Sequence, residues 1–427
     1  MRVWRLWLSI LFAALEAAAA SPGLRAAAAK ADITPDGPQW LLGYQARRSR
    51  GVHDRIYHRV VALDDGKTQV YLVSSEFAVF APSFFDEFGR ELKQRTRIDP
   101  RQVWWTVTHT HSAPELGPAG IGRLFLGERY QHDYDHEYAR QVKDKLIAAI
   151  KETRQKLFPA RVYVGAGYAA ANINRRERKP GGRIVLGKNP DGPVDRMIGL
   201  MRIERLDGGL VALIANYAMH GTVLGGKNLL ITGDAPGVVS AYVESRLGAP
   251  MLFINGAEGD IAPLYSVEPD FRHLDEFKTL LGDPILAANA ALGKPVKRAR
   301  LKTGEINVET PRKPGLGWTA DLADYLRVDG NGDAFVRLPV RLLRIGEDTA
   351  VWGAPVELFA EVALHMRAKS PFRHTFYFGL TNGWLGYLPT RQAFAEGGYE
   401  TSVCVFTDRV EQDLTRSVGA ALARLKQ

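Results

Sequence analysis

The sequence predicts an α/β protein whose core is a mixed, partly parallel β-sheet with flanking helices, in a single large domain. Apolar stretches typical of strands alternate along the chain with amphipathic stretches typical of helices. No linker, repeat or low-complexity tract interrupts the sequence from about residue 28 onwards. A composition of 46% hydrophobic and 24% charged residues is typical of globular proteins and excludes a disordered or fibrous chain.

The elements follow from local pattern. Strands are predicted, in chain order, at 70–73, 103–108, 160–168, 196–205, 210–217, 251–254 and 374–380. Helices are predicted at 83–96, 134–156, 236–247 and 357–368, with a hairpin around 346–348. Strand 103–108 has few polar residues, which predicts a central position in the sheet. The segment 175–193, rich in Gly, Pro and basic residues, is predicted to be a functional loop.

The N-terminus has the pattern of a secretory signal. Arg2 and Arg5 precede an apolar stretch, 6–15, and then an alanine run. Cleavage is expected before Ser21, with a second candidate site at 26–28, so we expect an exported protein, periplasmic or secreted, with a catalytic domain over 28–427. An uncleaved anchor is the alternative, but the apolar stretch is shorter than the ~20 residues that span a bilayer.

Charge and cysteine content restrict the partners and the metal ligands. The single cysteine, Cys404, excludes an intramolecular disulfide, so a metal site must use histidine, carboxylate or another oxygen donor. The net charge is +9, yet no nucleic-acid-binding motif is present. We interpret this balance as attraction to anionic surfaces such as lipid head groups, with peripheral membrane contact, no nucleic acid and no obligate protein partner.

Four polar clusters follow predicted strands, where ligands bind in α/β sheets. They contain His109 and His111, then His220, then Asp260, and last Glu357 with Tyr387. Two histidines at i and i+2 of an extended segment point to the same side and can share a metal.

Each cluster also has a simpler interpretation. The His-x-His pair could belong to a polar turn, and His220 could be a hydrogen-bonded histidine of the core. Asp260 could belong to a plain turn, Glu357 could be a carboxylate at a helix N-terminus, and Tyr387 could serve only in packing. Together, however, two histidines and a carboxylate at separate strand ends match a catalytic zinc set with a position for water. The sequence leaves open whether they converge.

In this order the clusters resemble the catalytic domain of the neutral/alkaline (non-lysosomal) ceramidase family. The similarity begins at Ala-Asp-Ile-Thr-Pro, and the matching segments are 31–35, 43–44, 51–54, 109–112, 172–175, 216–220 and 259–260. The resemblance implies a zinc-dependent hydrolase that cleaves the amide of ceramide, or of a related lipid-like N-acyl substrate, with zinc-activated water.

The resemblance also implies roles for individual residues. The implied zinc ligands are His109, His220, Glu357 and Tyr387. His111 would protonate the leaving amine or hold the substrate, Arg175 would stabilise the oxyanion, and Asp260 would position neighbours of the metal. Asn174 and Ala262 are the implied substrate-binding positions.

The sequence departs from the family at three places. Ala262 stands where the family has serine, the segment 176–179, Arg-Glu-Arg-Lys, stands where the family tends to have Ser-Pro, and we expect no immunoglobulin-like domain after Tyr387. Ala262 motivates one alternative function, a catalytically silent lipid-binding relative. Another is an amidase for a different N-acyl substrate. The Gly-Asp pairs at 233–234 and 259–260 suggest a third, a metallophosphatase.

Overall fold

The computed structural model describes residues 23–427. The predicted signal segment, 1–20, therefore lies outside the described residues. The second candidate cleavage site, at 26–28, lies within the strand Arg25–Asp32.

Two β-sheets form the centre of the molecule. The larger has eight strands, in spatial order Met251–Asn255, Leu210–Tyr217, Met197–Arg205, Phe158–Tyr168, Arg25–Asp32, Tyr57–Asp64, Gln69–Ser75 and Val103–Val107. The pair at each end is parallel, and the pairs between them are antiparallel. The smaller sheet has five strands. Four lie in the spatial order Leu301–Pro311, Ala334–Ile345, Thr349–Gly353 and His374–Phe378, and the fifth, Leu326–Val328, pairs with Ala334–Ile345.

The two sheets share a buried apolar core. Val61 and Leu72 of the larger sheet belong to the same cluster of buried side chains as Leu343 and Phe376 of the smaller sheet. Removal of this apolar surface from water is the main force that holds the sheets together. The fold class predicted from the sequence, a mixed and partly parallel sheet core with flanking helices, is confirmed.

Helices cover the outer faces of the sheets. The α-helices are Pro82–Thr96, Gly122–Phe125, His136–Gln155, Asp234–Leu247, Arg272–Phe277, Asp283–Ala290, Ala360–Ala368, Arg391–Glu396, Tyr399–Ser402 and Val410–Lys426. In the longest, the Asp135 side chain accepts a hydrogen bond from the Tyr138 amide and so caps the N-terminus. Within residues 23–427 no helix combines the length and the apolar character that a membrane crossing requires.

Small sheets join distant segments beside the ends of the main strands. A three-stranded sheet combines Asn172–Arg178, Ile184–Asn189 and Ile261–Pro263. Three two-stranded sheets pair Trp40–Leu41 with Arg47–Arg48, Gly51–Val52 with Leu230–Ile231, and Glu357–Leu358 with Tyr387–Leu388. These pairings fix the positions of residues far apart in sequence.

Three local predictions were wrong. Much of the segment 175–193 forms a hairpin instead of a loop. The strand Val103–Val107 is buried but lies at one end of its sheet, where Asn382 binds its free edge. The Trp105 amide donates to Asn382 Oδ1, and the Asn382 backbone amide donates to the Trp105 carbonyl. Glu357 is not helical, since it lies in a two-residue strand and the helix begins at Ala360.

Candidate active site

Two histidines present the same ring nitrogen to one buried point. His109 follows the strand Val103–Val107 with a positive φ of 62°, and its Nδ1 donates to the Ala78 carbonyl over 2.8 Å. His220 follows the strand Leu210–Tyr217, and its Nδ1 donates to the Ile261 carbonyl over 3.0 Å. A carbonyl oxygen can only accept, so each ring carries a proton on Nδ1 and directs its Nε2 at the same point.

Glu357 brings a carboxylate oxygen to the same point. Its Oε2 lies 3.2 Å from His109 Nε2 and 3.0 Å from His220 Nε2, and all three side chains are at most 3% exposed. The other oxygen, Oε1, accepts a hydrogen bond of 2.8 Å from the Trp384 indole. That bond fixes the rotation of the carboxylate.

These residues fit a divalent cation. Two imidazole nitrogens and a carboxylate oxygen, all of them atoms that bind metals, face one another, and Glu357 Oε2 has no hydrogen-bond partner among the described residues. Ligands at ~2.0–2.2 Å from a tetrahedral zinc lie roughly 3.3–3.6 Å apart, close to the observed distances. His109, His111 and His220 also each offer one ring nitrogen within 4.8 Å of the others. Two or three imidazoles with one carboxylate form a donor set that zinc prefers.

The protonation states agree with this fit. Burial, and then the positive charge of Arg175, lower the pKa of His220 to about 3, so the ring is neutral. Burial alone raises the pKa of Glu357, but the adjacent His109 and His220 outweigh it and hold that pKa well below its usual range. The site therefore offers a neutral His220 imidazole and an ionised Glu357 carboxylate, the forms that bind metals.

Tyr387 lies beside this group through strand pairing. The strands Glu357–Leu358 and Tyr387–Leu388 are parallel, with Glu357 opposite Tyr387 in register. The ring is buried, and the centre of the Arg175 guanidinium lies 5.4 Å from its centroid. Burial, and then the Glu357 charge, raise the pKa of the phenol well above its usual value, so it keeps its proton unless a cation polarises it.

Arg175 reaches the histidines from the hairpin that follows Asn172. Its Nε donates to Glu400 Oε1 over 2.9 Å, and its Nη1 lies 2.7 Å from His220 Nε2 and donates to it. Its Nη2 is buried and has no acceptor within the described part of the chain. The guanidinium therefore has donor capacity directed at the site that the protein itself does not use.

Asp260 and its neighbours hold Arg175 in place. Asp260 Oδ1 accepts from the Ala360 amide over 2.8 Å, Oδ2 accepts from Asn174 over 2.9 Å, and its carbonyl accepts from the Arg175 amide. Burial raises the pKa of Asp260 to about 7. Ala262 is buried in the adjacent strand. Asp260 and Asn174 are therefore placed as supports of the hairpin, and both Asp260 oxygens are already bound.

His111 lies at the accessible side of the group. It is half-buried, its Nε2 lies 3.4 Å from His109 Nε2, and its Nδ1 has no partner among residues 23–427. Its ring lies against Gly43, where a β-carbon would come within 2.4 Å of His111 Cγ. Burial, together with the nearby His109 and His220, lowers the pKa of His111 well below its usual value, so the ring is neutral.

Sequence reasoning missed several residues of this site. The predicted residues include neither Trp384, which orients Glu357, nor Glu400, which is 1% exposed and binds Arg175. Glu258 is also missing; it is buried, neither of its carboxyl oxygens has a partner in the described structure, and burial raises its pKa well above normal. Trp384 lies three residues before Tyr387 and Glu258 two residues before Asp260, and this proximity was the available signal, whereas Glu400 had no local signal.

The two Gly-Asp pairs do not form a second metal site. The Asp234 carboxylate accepts from the amides of Val223, Leu224 and Ala235, and Asp260 is bound as described above. Across residues 23–427, the metal-binding arrangement of histidines, cysteines and carboxylates that the structure shows is the one at His109, His111 and His220. The structure therefore gives the metallophosphatase alternative no support.

The sequence is similar to proteins of one family. The profile described as neutral/alkaline non-lysosomal ceramidase, N-terminal, matches residues 25–262. A neutral ceramidase of Pseudomonas aeruginosa is 22% identical over 87% of this chain and 67% of its own length. A neutral ceramidase of Mycobacterium tuberculosis is 25% identical over 51% of this chain, and neutral ceramidase B of Dictyostelium discoideum is 27% identical over 52%. The chain spans about a third of the length of these last two relatives, 35% and 33%.

The fold is also similar to a solved structure. The crystal structure of the neutral ceramidase from Pseudomonas aeruginosa superposes with a TM-score of 0.76 at 18% sequence identity. The match covers 94% of this chain and 74% of that chain. A ceramidase complexed with C2 gives the same TM-score at 17% identity.

Proposed function

The chain belongs to the neutral/alkaline non-lysosomal ceramidase family, and from this premise we propose that it is a zinc-dependent hydrolase that cleaves the amide bond of ceramide or a related N-acyl lipid. One observation carries the proposal. Glu357 Oε2 lies 3.0–3.2 Å from the Nε2 atoms of His109 and His220 in a buried site. Two imidazole nitrogens and a carboxylate oxygen held this close form a set of ligands that suits a zinc ion.

His109, His220 and Glu357 would hold the zinc, with the Tyr387 phenol as a further ligand. Zinc supplies a Lewis acid that polarises the amide carbonyl and makes a water molecule nucleophilic near neutral pH. Trp384 keeps the Glu357 carboxylate in its binding orientation through the hydrogen bond to Oε1.

The protein's own residues move the proton and stabilise the charge. His111 is neutral, so it accepts a proton from the attacking water and donates it to the departing amine nitrogen. Arg175 donates from the free Nη2 to the substrate oxygen as negative charge develops there. Burial by itself lowers the pKa of Arg175, but Tyr387 and the nearby carboxylates outweigh it, so the guanidinium remains charged.

The absence of the family serine supports a second candidate, a silent lipid-binding relative. Ala262 has no hydroxyl, and an obligatory serine nucleophile would leave this chain inactive. We favour hydrolysis, because the proposed chemistry takes its nucleophile from water and its charge stabilisation from Arg175.

Export and contact with a lipid surface belong to this proposal. The segment 1–20 supports export to the periplasm or medium. Val52, in the strand Gly51–Val52, and Val267 are 43% and 62% exposed. Arg48 and Arg50 just before Val52, and Lys227 just before its partner strand Leu230–Ile231, are exposed cations. Exposed apolar side chains flanked by cations suit the surface of an anionic bilayer.

Metal analysis with a substrate assay tests the function. Protein purified without added metal should contain about one zinc per chain by elemental analysis, and the His109→Ala and Glu357→Ala variants should lose it. His374→Ala, in the smaller sheet, is the matched control and should retain it. Release of fatty acid from N-acyl-sphingosine, followed by mass spectrometry, should stop in both site variants. A wild-type protein that contains no zinc would refute the proposal. A wild-type protein that contains zinc but hydrolyses no N-acyl lipid would favour the silent lipid-binding relative.

A further inference from the structure

A buried arginine without a carboxylate lies directly behind His111. Arg47 is 6% exposed, its Nη2 donates to the His111 carbonyl, and its Nε donates to the Asn228 carbonyl over 3.0 Å. Its Nη1 is buried with no acceptor, and no carboxylate pairs with it among residues 23–427. The Tyr44 ring, 5.0 Å from the guanidinium, covers it.

A second arginine reaches the same place from another segment. Arg129 is half-buried, and its guanidinium donates to the Gly43 carbonyl over 3.3 Å. Because Gly43 lies against the His111 ring, Arg129 lies at the edge of the site, next to Tyr399. None of the ion pairs in the described part of the chain includes Arg129. Burial and the neighbouring charge of Arg129 lower the pKa of Arg47 to about 10.

These charges are not neutralised by the acids of the site. Glu357 faces the imidazoles, and Glu400 already binds Arg175 and Arg176. Buried cations are normally paired, because an unpaired charge loses its hydration without compensation. The buried Arg47 behind His111 and the half-buried Arg129 at the Gly43 carbonyl, neither paired with an acid among the described residues, therefore indicate that the ligand supplies an anion.

We propose that the substrate carries a carboxylate next to its scissile amide, as an N-acyl amino acid does, and that Arg129 binds this carboxylate while Arg47 adds charge from beneath Tyr44. This inference rests on the proposed amide hydrolysis and names its substrate class. Water adds across the C–N bond: its oxygen goes to the acyl carbon, a proton goes to the nitrogen, and a fatty acid and an amino acid leave. Arginine suits the role because it binds a carboxylate through two parallel hydrogen bonds.

Two substrates that differ only in this group test the proposal. N-dodecanoylglycine has a carboxylate where N-dodecanoylethanolamine has a neutral CH2OH group. The wild type should show kcat/KM about 10- to 100-fold higher for the glycine compound, mainly through KM, as expected for a charge-assisted hydrogen bond. The ratio should fall towards one in Arg129→Gln and should persist in Arg123→Gln, an exposed arginine on the adjacent helix. It should also fall as salt is added to the wild type, a measurement that needs no variant.

Other outcomes separate this inference from the proposed function. Equal or faster hydrolysis of the ethanolamide by the wild type, or a ratio that survives in folded Arg129→Gln, would overturn the inference and leave amide hydrolysis intact. If neither compound is hydrolysed, the proposed function fails for both, and calorimetric titration decides the inference. Tighter binding of the glycine compound would support it, and equal binding would overturn it.

Discussion

Glu357 Oε2 and His220 Nε2 lie 3.0 Å apart, and Arg175 Nη1 donates to the same Nε2 over 2.7 Å. The His220 ring carries its proton on Nδ1, which donates to the Ile261 carbonyl, and the low pKa of His220 keeps the ring neutral. Two acceptor atoms at this distance repel one another, and a divalent cation between them would relieve the repulsion. Several expected outcomes follow from this and neighbouring contacts.

Removal of the metal should destabilise the protein. A ligand that binds only the folded state stabilises it by about 2.7 kcal/mol at a hundredfold excess over its Kd. Protein dialysed against a chelator should therefore unfold at a lower temperature in calorimetry, and zinc should restore the transition where magnesium does not, since this nitrogen-rich donor set does not suit magnesium. An identical Tm with and without zinc would contradict the metal site.

Replacement of Trp384 should weaken zinc binding without removing a ligand. Trp384→Phe deletes the indole N–H that orients Glu357, and the loss of such a supporting contact typically lowers metal affinity by about 10- to 100-fold. Competition with a fluorescent chelator measures the change. Trp318→Phe is the matched control, because it removes an indole hydrogen bond to the Leu322 carbonyl away from the site. Equal zinc affinity in the two variants would argue against the role of Trp384.

A methyl group at Gly43 should abolish activity while zinc remains. Gly43 has φ +110°, and its β-carbon would overlap the His111 ring, which must shift. We expect kcat to fall by about 100-fold or more in Gly43→Ala, in line with the typical contribution of a general acid–base group, with zinc content unchanged. Gly208 has a similar φ of +97° but open space around it. The control variant Gly208→Ala therefore measures the effect of backbone strain without a clash. Similar kcat values in the two variants would refute the prediction.

The stability of the protein should depend on pH through Asp260. Its pKa of about 7 in the fold exceeds the ordinary value of 3.8, so the folded chain keeps a proton that the unfolded chain loses. The resulting stabilisation is complete below about pH 4 and is lost as the pH rises towards 7, on the order of a few kcal/mol.

Denaturation by urea from pH 4 to 8.5 measures this contribution of Asp260 to the free energy of unfolding. Relative to Asp260→Asn, the wild type should lose free energy of unfolding between about pH 4 and 7 and then stay level. Asp348→Asn, at an exposed turn, is the control and should follow the wild type. Parallel pH curves for wild type and Asp260→Asn would show that Asp260 does not titrate in this range.

Restoring the family's serine should change little. If water is the nucleophile, Ala262→Ser adds at most one neutral hydrogen bond, about 1 kcal/mol, so kcat should change by less than roughly tenfold. Steady-state hydrolysis of the best N-acyl substrate measures it. Appearance of activity in Ala262→Ser from an inactive wild type would instead identify the silent relative.

The fold was predictable where the pattern is local. The buried face of the helix His136–Gln155 follows from the spacing of Val142, Leu146 and Ile150, and these residues are buried. The end position of strand Val103–Val107 was not predictable, because the residue that binds its free edge, Asn382, is nearly 280 residues away in the sequence. Likewise, the segment 175–193, rich in Gly, Pro and basic residues, was predicted to be a loop, because the acids that bind its arginines, Glu396 and Glu400, lie more than 200 residues away.

The sequence by itself determined which chemical groups the site contains, since histidines, a carboxylate and a phenol at the ends of apolar strands are visible in local pattern. Only the tertiary structure decided which of them face one another, and that His109 and His220 both donate from Nδ1 and turn Nε2 towards Glu357. It also decided that neither Arg47, at the His111 carbonyl, nor Arg129, at the Gly43 carbonyl, pairs with an acid among the described residues. The reason is physical: sequence pattern reports burial and local geometry, whereas metal affinity and charge balance depend on atoms brought together from segments hundreds of residues apart.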